Sequence, residues 1–119
     1  MTATGPASVD DAALAALFVP FLGGDLPSPG DRVLFLRARL GAVVREWARP
    51  AWCCVQSFLP FADALGDAGL ATAPVAPAAR FPCVLLLPPR QRDERRALFA
   101  QAVDHLEAGG VLVASVANA

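Results

Sequence analysis

Lysine is absent from the sequence, and all ten basic residues are arginines. The formal net charge is only −1 at pH 7, so the chain as a whole lacks the excess positive charge that favours non-specific binding to nucleic acid. Arginine is the cation best suited to bidentate phosphate contacts. The many alanines indicate that compositional bias of the genome explains the missing lysines as readily as selection for such contacts does.

Cysteine is scarce, with three in the chain: Cys53, Cys54 and Cys83. An odd number without paired spacing argues against a disulfide framework, and no C-x-x-C pattern indicates a metal site. Neighbouring residues on a strand point to opposite faces, so Cys53 and Cys54 are poorly placed to bind one metal ion together. We interpret both as small buried apolar residues.

No apolar run approaches the roughly 20 residues that a membrane-spanning helix needs. The stretch Ala12–Leu22 is too short and is interrupted by Pro20. No basic start precedes an apolar segment, so no secretory signal is expected. We predict a cytoplasmic protein without a membrane partner. The 119 residues, 55% of them hydrophobic, suit a flexible amino terminus over 1–8 and a single domain over 9–119.

Apolar runs alternate with segments of helical periodicity along the chain. Strands are predicted at Arg32–Arg37, Trp52–Gln56, Cys83–Leu87 and Val111–Val116, with a short edge strand near Ala73–Val75. Helices are predicted at Asp10–Phe18, Leu59–Leu70 and Asp93–Leu106, and Ala42–Trp47 is either a helix or irregular. Pro20 is expected to end the first helix, and Gly109-Gly110 to close the last one. The alternation predicts an α/β fold with a mainly parallel sheet and flanking helices.

Between Ala13 and Asn118, three stretches of the sequence resemble a known family of enzymes. They are "RVLFLRARLGA", "QSFLPFADALGDAGL" and "FPCVLLLPPRQRDERRALFAQAVDHLEAGGVLVAS". They resemble class I S-adenosylmethionine-dependent methyltransferases, and within these the N-terminal domain of ribosomal RNA small-subunit methyltransferase C-like proteins, which methylate guanine N2. The resemblance implies a Rossmann-like, degenerate methyltransferase domain, truncated here after its fifth strand. It also implies a full-length rRNA methyltransferase that uses S-adenosylmethionine in a downstream catalytic domain.

Three positions that are polar or glycine-rich in active class I enzymes differ in this chain. The glycine-rich turn after the first strand corresponds to Phe35–Gly41, where an acid is replaced by phenylalanine and two glycines by arginines. The ribose-binding acid at the end of the second strand corresponds to Gln56, interpreted as a strand-end side chain that reaches solvent or backbone. The Asn or Asp before the two prolines corresponds to Leu87, which cannot orient an amine. We therefore predict that this domain has no catalytic residue, binds no cofactor and is inactive alone.

Arginines cluster at the predicted carboxyl edge of the sheet, where α/β proteins usually bind ligands. We predict an RNA-binding site formed by Arg37, Arg39, Arg90, Arg92, Arg95 and Arg96. The alternative is a solvated face whose charge is balanced by Asp93 and Glu94. Trp47 and Trp52 could stack on bases, but we favour a place at the edge of the core or in an interface.

Two functions from different classes are consistent with these patterns. The first is a non-catalytic N-terminal domain that assists binding of ribosomal RNA or braces the downstream catalytic methyltransferase domain. The second is a free-standing Rossmann-like module that forms a homodimer through an exposed sheet edge and binds neither nucleic acid nor cofactor.

Overall fold

A computed structural model describes residues 9–115, and the predicted flexible segment 1–8 lies outside that range. The elements in chain order are α1 (Val9–Ala16), α2 (Val19–Leu22), β1 (Val33–Leu36), α3 (Ala42–Trp47), β2 (Cys53–Val55), α4 (Leu59–Asp67), β3 (Ala71–Ala73), β4 (Phe81–Leu86), α5 (Arg92–Asp104) and β5 (Leu106–Ala114). In this part of the chain, the longest helix is too short and too polar to cross a bilayer.

The five strands form one sheet in the order β3-β2-β1-β4-β5. Every neighbouring pair is parallel, which confirms the predicted Rossmann-like α/β fold. The register places Phe35 of β1 between Cys54 of β2 and Leu85 of β4. All four residues of β1 are buried, as expected for a central parallel strand covered on both faces.

The two faces of the sheet are covered unequally. One face packs against α1 to α4 in a large core that includes Leu17, Phe35 and Leu65. The other face packs mainly against α5, through Ala102 and its neighbours, over Leu34. Cys53 and Cys54 belong to the two different cores, which confirms that neighbouring strand residues point apart here.

An aromatic cluster fills the edge of the larger core. Trp52 is fully buried and lies parallel to Phe18, with ring centroids 6.4 Å apart. Trp47 packs against Phe18 and Phe21 at 6.0 and 6.3 Å. The indole Nε1 of Trp52 donates a 2.9 Å hydrogen bond to the carbonyl of Gly30. The interpretation of both tryptophans as core residues is therefore confirmed.

Prolines shift two predicted boundaries. The first helix ends at Ala16 rather than Phe18, and Pro20 lies in the first turn of α2, a position where its missing N–H is tolerated. The edge strand β3 runs from Ala71 to Ala73 instead of Ala73–Val75. It ends there because Pro74 cannot donate a hydrogen bond to a neighbouring strand.

The last helix is shorter and the last strand longer than predicted. Helix α5 ends at Asp104 with His105 as its C-cap, so Leu106 begins β5 instead of ending the helix. The His105 carbonyl accepts a 2.7 Å hydrogen bond from the N–H of Phe81. Its ring Nδ1 lies 2.7 Å from the carbonyl of Ala79, so the N–H tautomer at Nδ1 donates there.

The pair Gly109-Gly110 lies inside β5 rather than in a turn after α5, which corrects its predicted place. Leu106 and Val111 pair with residues of β4 that are only two positions apart, so the residues between them form a bulge. Pro82 lies opposite the bulge and has no N–H for the ladder. Gly109 has φ of 77°, and a Cβ on Gly110 would lie 3.0 Å from the Pro82 carbonyl.

Candidate functional site

A cleft of about 480 Å³ opens where the segments after β1, β2 and β4 meet at the carboxyl edge of the sheet. Four of its lining residues are arginines, namely Arg37, Arg39, Arg90 and Arg95. We call it the arginine cleft. The three positions that differ from active methyltransferases, at the Arg37–Arg39 turn, Gln56 and Leu87, all line this one cleft. Parallel neighbours end at the same edge, which is why residues far apart in sequence meet there.

The turn after β1 is held against both neighbouring strands. Arg37 has φ of 56°, and its guanidinium Nη1 donates a 3.0 Å hydrogen bond to the carbonyl of Leu87. The next residue, Ala38, is fully buried, and its N–H donates to the carbonyl of Val55 at 3.0 Å. A long cationic side chain therefore spans the place where a glycine-rich turn would leave open space.

Gln56 uses both ends of its side chain within the protein. Nε2 donates a 2.7 Å hydrogen bond to the carbonyl of Ala38. Oε1 accepts a 2.9 Å hydrogen bond from the N–H of Phe58. The side chain thus ties the end of β2 to the turn after β1 and to the start of α4, which confirms that it reaches backbone.

Leu87 points its side chain into the core, where it is only 8% exposed. Its N–H donates to the carbonyl of Leu36 at 3.3 Å, and its own carbonyl accepts the Arg37 guanidinium. Pro88 and Pro89 follow along the cleft wall without any N–H to offer. This segment presents apolar surface where an amine methyltransferase presents an acceptor.

An aromatic pair that the sequence-based prediction missed forms another wall of the cleft. Phe58 and Phe61 line it with ring centroids 4.8 Å apart at 74°. The guanidinium carbon of Arg39 lies 4.0 Å from the Phe61 centroid, within range of a cation–π contact. The sequence position of Phe58 could have indicated its place in the cleft, because Phe58 closely follows the end of β2 in "CVQSFLPF".

The six arginines predicted to bind RNA divide into two groups. Four line the cleft, whereas Arg92 and Arg96 of α5 do not. Arg95 also approaches the carbonyl of Arg90, with its Nη1 at 3.4 Å. RNA binding itself remains a prediction for all six residues.

Local charge balance by Asp93 and Glu94 stays the alternative prediction. Among the side chains that the structure describes, those that line the cleft include no aspartate or glutamate. Asp93 and Glu94 lie in the first turn of α5, and the N–H of Glu94 donates a 2.7 Å hydrogen bond to the Gln91 side chain. Acidic side chains there stabilise the helix dipole.

The side chains that the structure describes form no group of metal ligands. Within residues 12–115, no three side chains of His, Cys, Asp or Glu come close enough to hold an ion together. Burial raises the pKa of the Cys54 thiol to about 12, with a further contribution from Cys53, and that of the Cys83 thiol to about 11. These buried thiols stay protonated near neutral pH and are poor nucleophiles or ligands.

The comparisons with known proteins point to a fold rather than to a family. No known protein family matches the chain, and no curated protein matches it. It is similar to the crystal structure of coclaurine N-methyltransferase bound to N-methylheliamine and SAH, with 13% sequence identity and a TM-score of 0.61. The alignment covers 95% of this chain and 38% of that chain, so this chain spans well under half of its structural neighbour. The likeness shows the methyltransferase fold, whereas the narrower resemblance to rRNA guanine-N2 enzymes stays a prediction.

Proposed function

We propose that this chain is a methyltransferase-fold domain that binds RNA in the arginine cleft and does not itself transfer a methyl group. The observation that supports the proposal most directly is the cleft lining, in which the described side chains include four arginines and no carboxylate. These arginines lie at the edge where the fold usually binds its ligands. A polyanion is the ligand that such a lining favours.

The lining does not fit S-adenosylmethionine. The cofactor carries a positive sulfonium, which the guanidinium groups of the cleft repel. Among the side chains that the structure describes, no carboxylate lines the cleft to accept hydrogen bonds from the ribose hydroxyls. Gln56, at the corresponding strand end, already bonds the backbone at both ends of its side chain. We therefore propose that this domain binds no cofactor.

The target amine also lacks a partner. Leu87 offers no side-chain acceptor, and its carbonyl is engaged by Arg37. Methyl transfer to an amine needs an acceptor that orients the nitrogen and stabilises its developing charge. We place any methylation in a separate catalytic domain of the same protein. The present domain would position ribosomal RNA or brace that catalytic domain, as the resemblance implies.

Salt-dependent binding tests the role of the cleft. The affinity for an RNA fragment is measured at several salt concentrations for the unmodified chain and for an Arg90→Ala/Arg95→Ala variant. The variant is expected to bind at least about tenfold more weakly, because a hydrogen bond to a charged group contributes roughly 1.5–3 kcal/mol. The slope of log K against log salt should fall by about 0.7 for each lost contact to a single strand.

The matched control is Arg45→Ala/Arg49→Ala. It removes the same charge from outside the cleft, where Arg45 lies on α3 and Arg49 pairs with Asp31 at 3.2 Å. Equal losses in the two double variants would contradict a specific role for the cleft. Calorimetry with S-adenosylmethionine up to millimolar concentration should show no heat, and clear micromolar binding would overturn the non-catalytic assignment.

The position of β5 favours a second candidate function, self-association. This nine-residue strand lies at the end of the strand order and pairs only with β4 within residues 9–115. An edge strand of that length offers N–H and C=O groups to another chain. Light scattering that shows a tight homodimer, together with no RNA binding, would favour this module over the RNA-binding domain.

A further inference from the structure

The most exposed aromatic side chain of the arginine cleft is Phe58. It is 54% exposed, and the neighbouring Leu59 is 71% exposed. Phe61, by contrast, is half-buried beneath the Arg39 guanidinium and the Phe58 ring. A large exposed aromatic ring at the edge of a cleft lined by arginines offers a surface on which a planar ligand can stack.

The volume of the cleft favours single-stranded over double-stranded RNA. Its volume of about 480 Å³ lies within the range of sites that enclose a small ligand, roughly 300–1,000 Å³. Such a space admits one nucleotide unit. Double-stranded RNA is instead recognised across extended surfaces that contact successive grooves and phosphates. The cleft therefore suits a strand whose bases are unpaired.

The polar groups around the cleft are mostly engaged with the protein itself. The Gln56 side chain bonds backbone at both ends, the Leu87 carbonyl accepts Arg37, and the Ser115 hydroxyl donates to the Ala13 carbonyl. Few groups remain to read the hydrogen-bonding edge of a base. Recognition through the face of an aromatic ring tolerates every base, because each base has a π-face.

We infer that the arginine cleft binds unpaired RNA, with one base stacked on Phe58 and the adjoining phosphates held by Arg90 and Arg95. This inference rests on the proposed RNA-binding function and narrows it to single strands. The stacked ring supplies affinity without sequence preference. The arginines supply the charge, and Arg39 stays over Phe61 as part of the wall.

Binding of a labelled 12-nucleotide RNA, alone and annealed to its complement, tests the inference by equilibrium filter binding. The single strand should bind more tightly than the duplex. Phe58→Leu should weaken single-strand binding by about 5- to 160-fold, the range expected for loss of one stacked base, with little change for the duplex. Phe58→Trp should retain the affinity, because tryptophan also stacks.

A second exposed apolar side chain provides the control. Val75 is 71% exposed and does not line the cleft, so Val75→Ala should leave single-strand binding unchanged. Oligo-U and oligo-A should differ by less than about tenfold, since stacking gives only modest sequence preference. A difference above about 100-fold would point to base-edge recognition and overturn the inference.

The possible failures are distinguishable. If the unmodified chain binds neither form of RNA, both the proposed function and this inference are wrong. A second outcome is that the chain binds duplex and single-stranded RNA equally, and that Phe58→Leu binds RNA as well as the unmodified chain while Arg90→Ala/Arg95→Ala does not. In that case the stacking inference is wrong and the proposed function stands.

Discussion

The central strands β1 and β4 differ between their middle and their carboxyl end. In the middle, Phe35 and Leu85 are paired in register and fully buried. Directly beyond the strands, Arg37 and Arg90 line an open cleft together with other cations. The same two strands thus build a dry apolar layer and a hydrated charged edge within a few residues.

This difference shows that the fold and its ligand chemistry depend on separate residues. Burial of apolar surface is non-directional, so many apolar side chains can maintain the sheet. Holding a cofactor or an amine needs particular atoms at particular places. A methyltransferase fold can therefore persist while the side chains at its carboxyl edge are exchanged for ones that suit another ligand.

The largest effect is expected from an acid in the middle of β1. Phe35→Asp introduces the acid that the resemblance to class I methyltransferases implies for an active enzyme at this position. Because Phe35 is 0% exposed, the carboxylate would be buried without a partner, and a loss of about 5 kcal/mol or more is expected, comparable to the whole stability of many domains. Urea unfolding checks this, with Phe35→Leu as the control at about 1.5 kcal/mol or less. An unchanged unfolding midpoint for Phe35→Asp would refute the comparison of middle and edge.

Alkaline pH probes the same buried layer without changing its shape. The chain has no lysine and no tyrosine, so between about pH 9 and 11 cysteines are the side chains that titrate. Burial raises the pKa of Cys54 from 9.0 to about 12, so above pH 9 the folded state retains a proton that the unfolded state releases. The free energy of unfolding should therefore fall as pH rises, by up to about 1.4 kcal/mol per pH unit for each such group.

Urea titrations at several pH values under reducing conditions measure this slope. Cys54→Ala should unfold more easily near neutral pH, and this deficit should shrink as pH rises, since one of the retained protons is gone. The slope contributed by Cys83, whose pKa is raised to about 11, should remain. An identical slope in both proteins would contradict the assignment to Cys54.

A smaller effect on stability is expected at the turn after β1, between the buried middle of the strand and the arginine cleft. Arg37 has φ of 56°, a conformation that costs roughly 1–2 kcal/mol for residues other than glycine. Arg37→Ala and Arg37→Gly both lose the hydrogen bond to Leu87, but only glycine relieves the backbone. Arg37→Gly should therefore be more stable than Arg37→Ala by about 1 kcal/mol in thermal or urea unfolding. The reverse order would show that this turn is not strained.

The smallest effect on stability is expected at the edge itself. Arg90→Ala/Arg95→Ala should change the free energy of unfolding by no more than about 0.5 kcal/mol, because Arg90 is exposed and the half-buried Arg95 makes only a long contact of 3.4 Å to a backbone carbonyl. The same variant should bind RNA much more weakly. A large loss of stability would make these arginines part of the scaffold instead of the site.

Much of the fold follows from local pattern in the sequence. The apolar runs of β1 and β4 and the helical periodicity of α5 predict a parallel sheet with flanking helices, and these elements are present. The bulge of β5 is not predictable in this way, because its cause lies across the sheet at Pro82, while Gly109-Gly110 is typical of a helix-ending turn. Long-range pairing decides between the two uses of the same glycines.

The candidate site is predictable where it depends on strand ends. Arg37, Gln56 and Leu87 each follow a strand, and parallel packing brings them to one cleft. Arg92 and Arg96 are predicted in the same group, but of the three arginines on α5 Arg95 alone lines the cleft. The sequence does not predict the aromatic wall formed by Phe58 and Phe61. Tertiary packing determines whether a phenylalanine is exposed, and the residues next to it in sequence do not show this.

Because of the bulge in β5, the two ends of the sheet are also expected to differ in local stability. Glu107–Gly110 interrupt the ladder at the amino end of the strand, whereas Leu112–Ala114 pair regularly with β4, and Ser115 is anchored to Ala13 beyond them. Amide protons in the interrupted stretch should therefore exchange with solvent deuterium well before those of the regular stretch. Local breathing is expected at the end of the sheet opposite the arginine cleft, so the cleft would keep its shape while that end opens and closes.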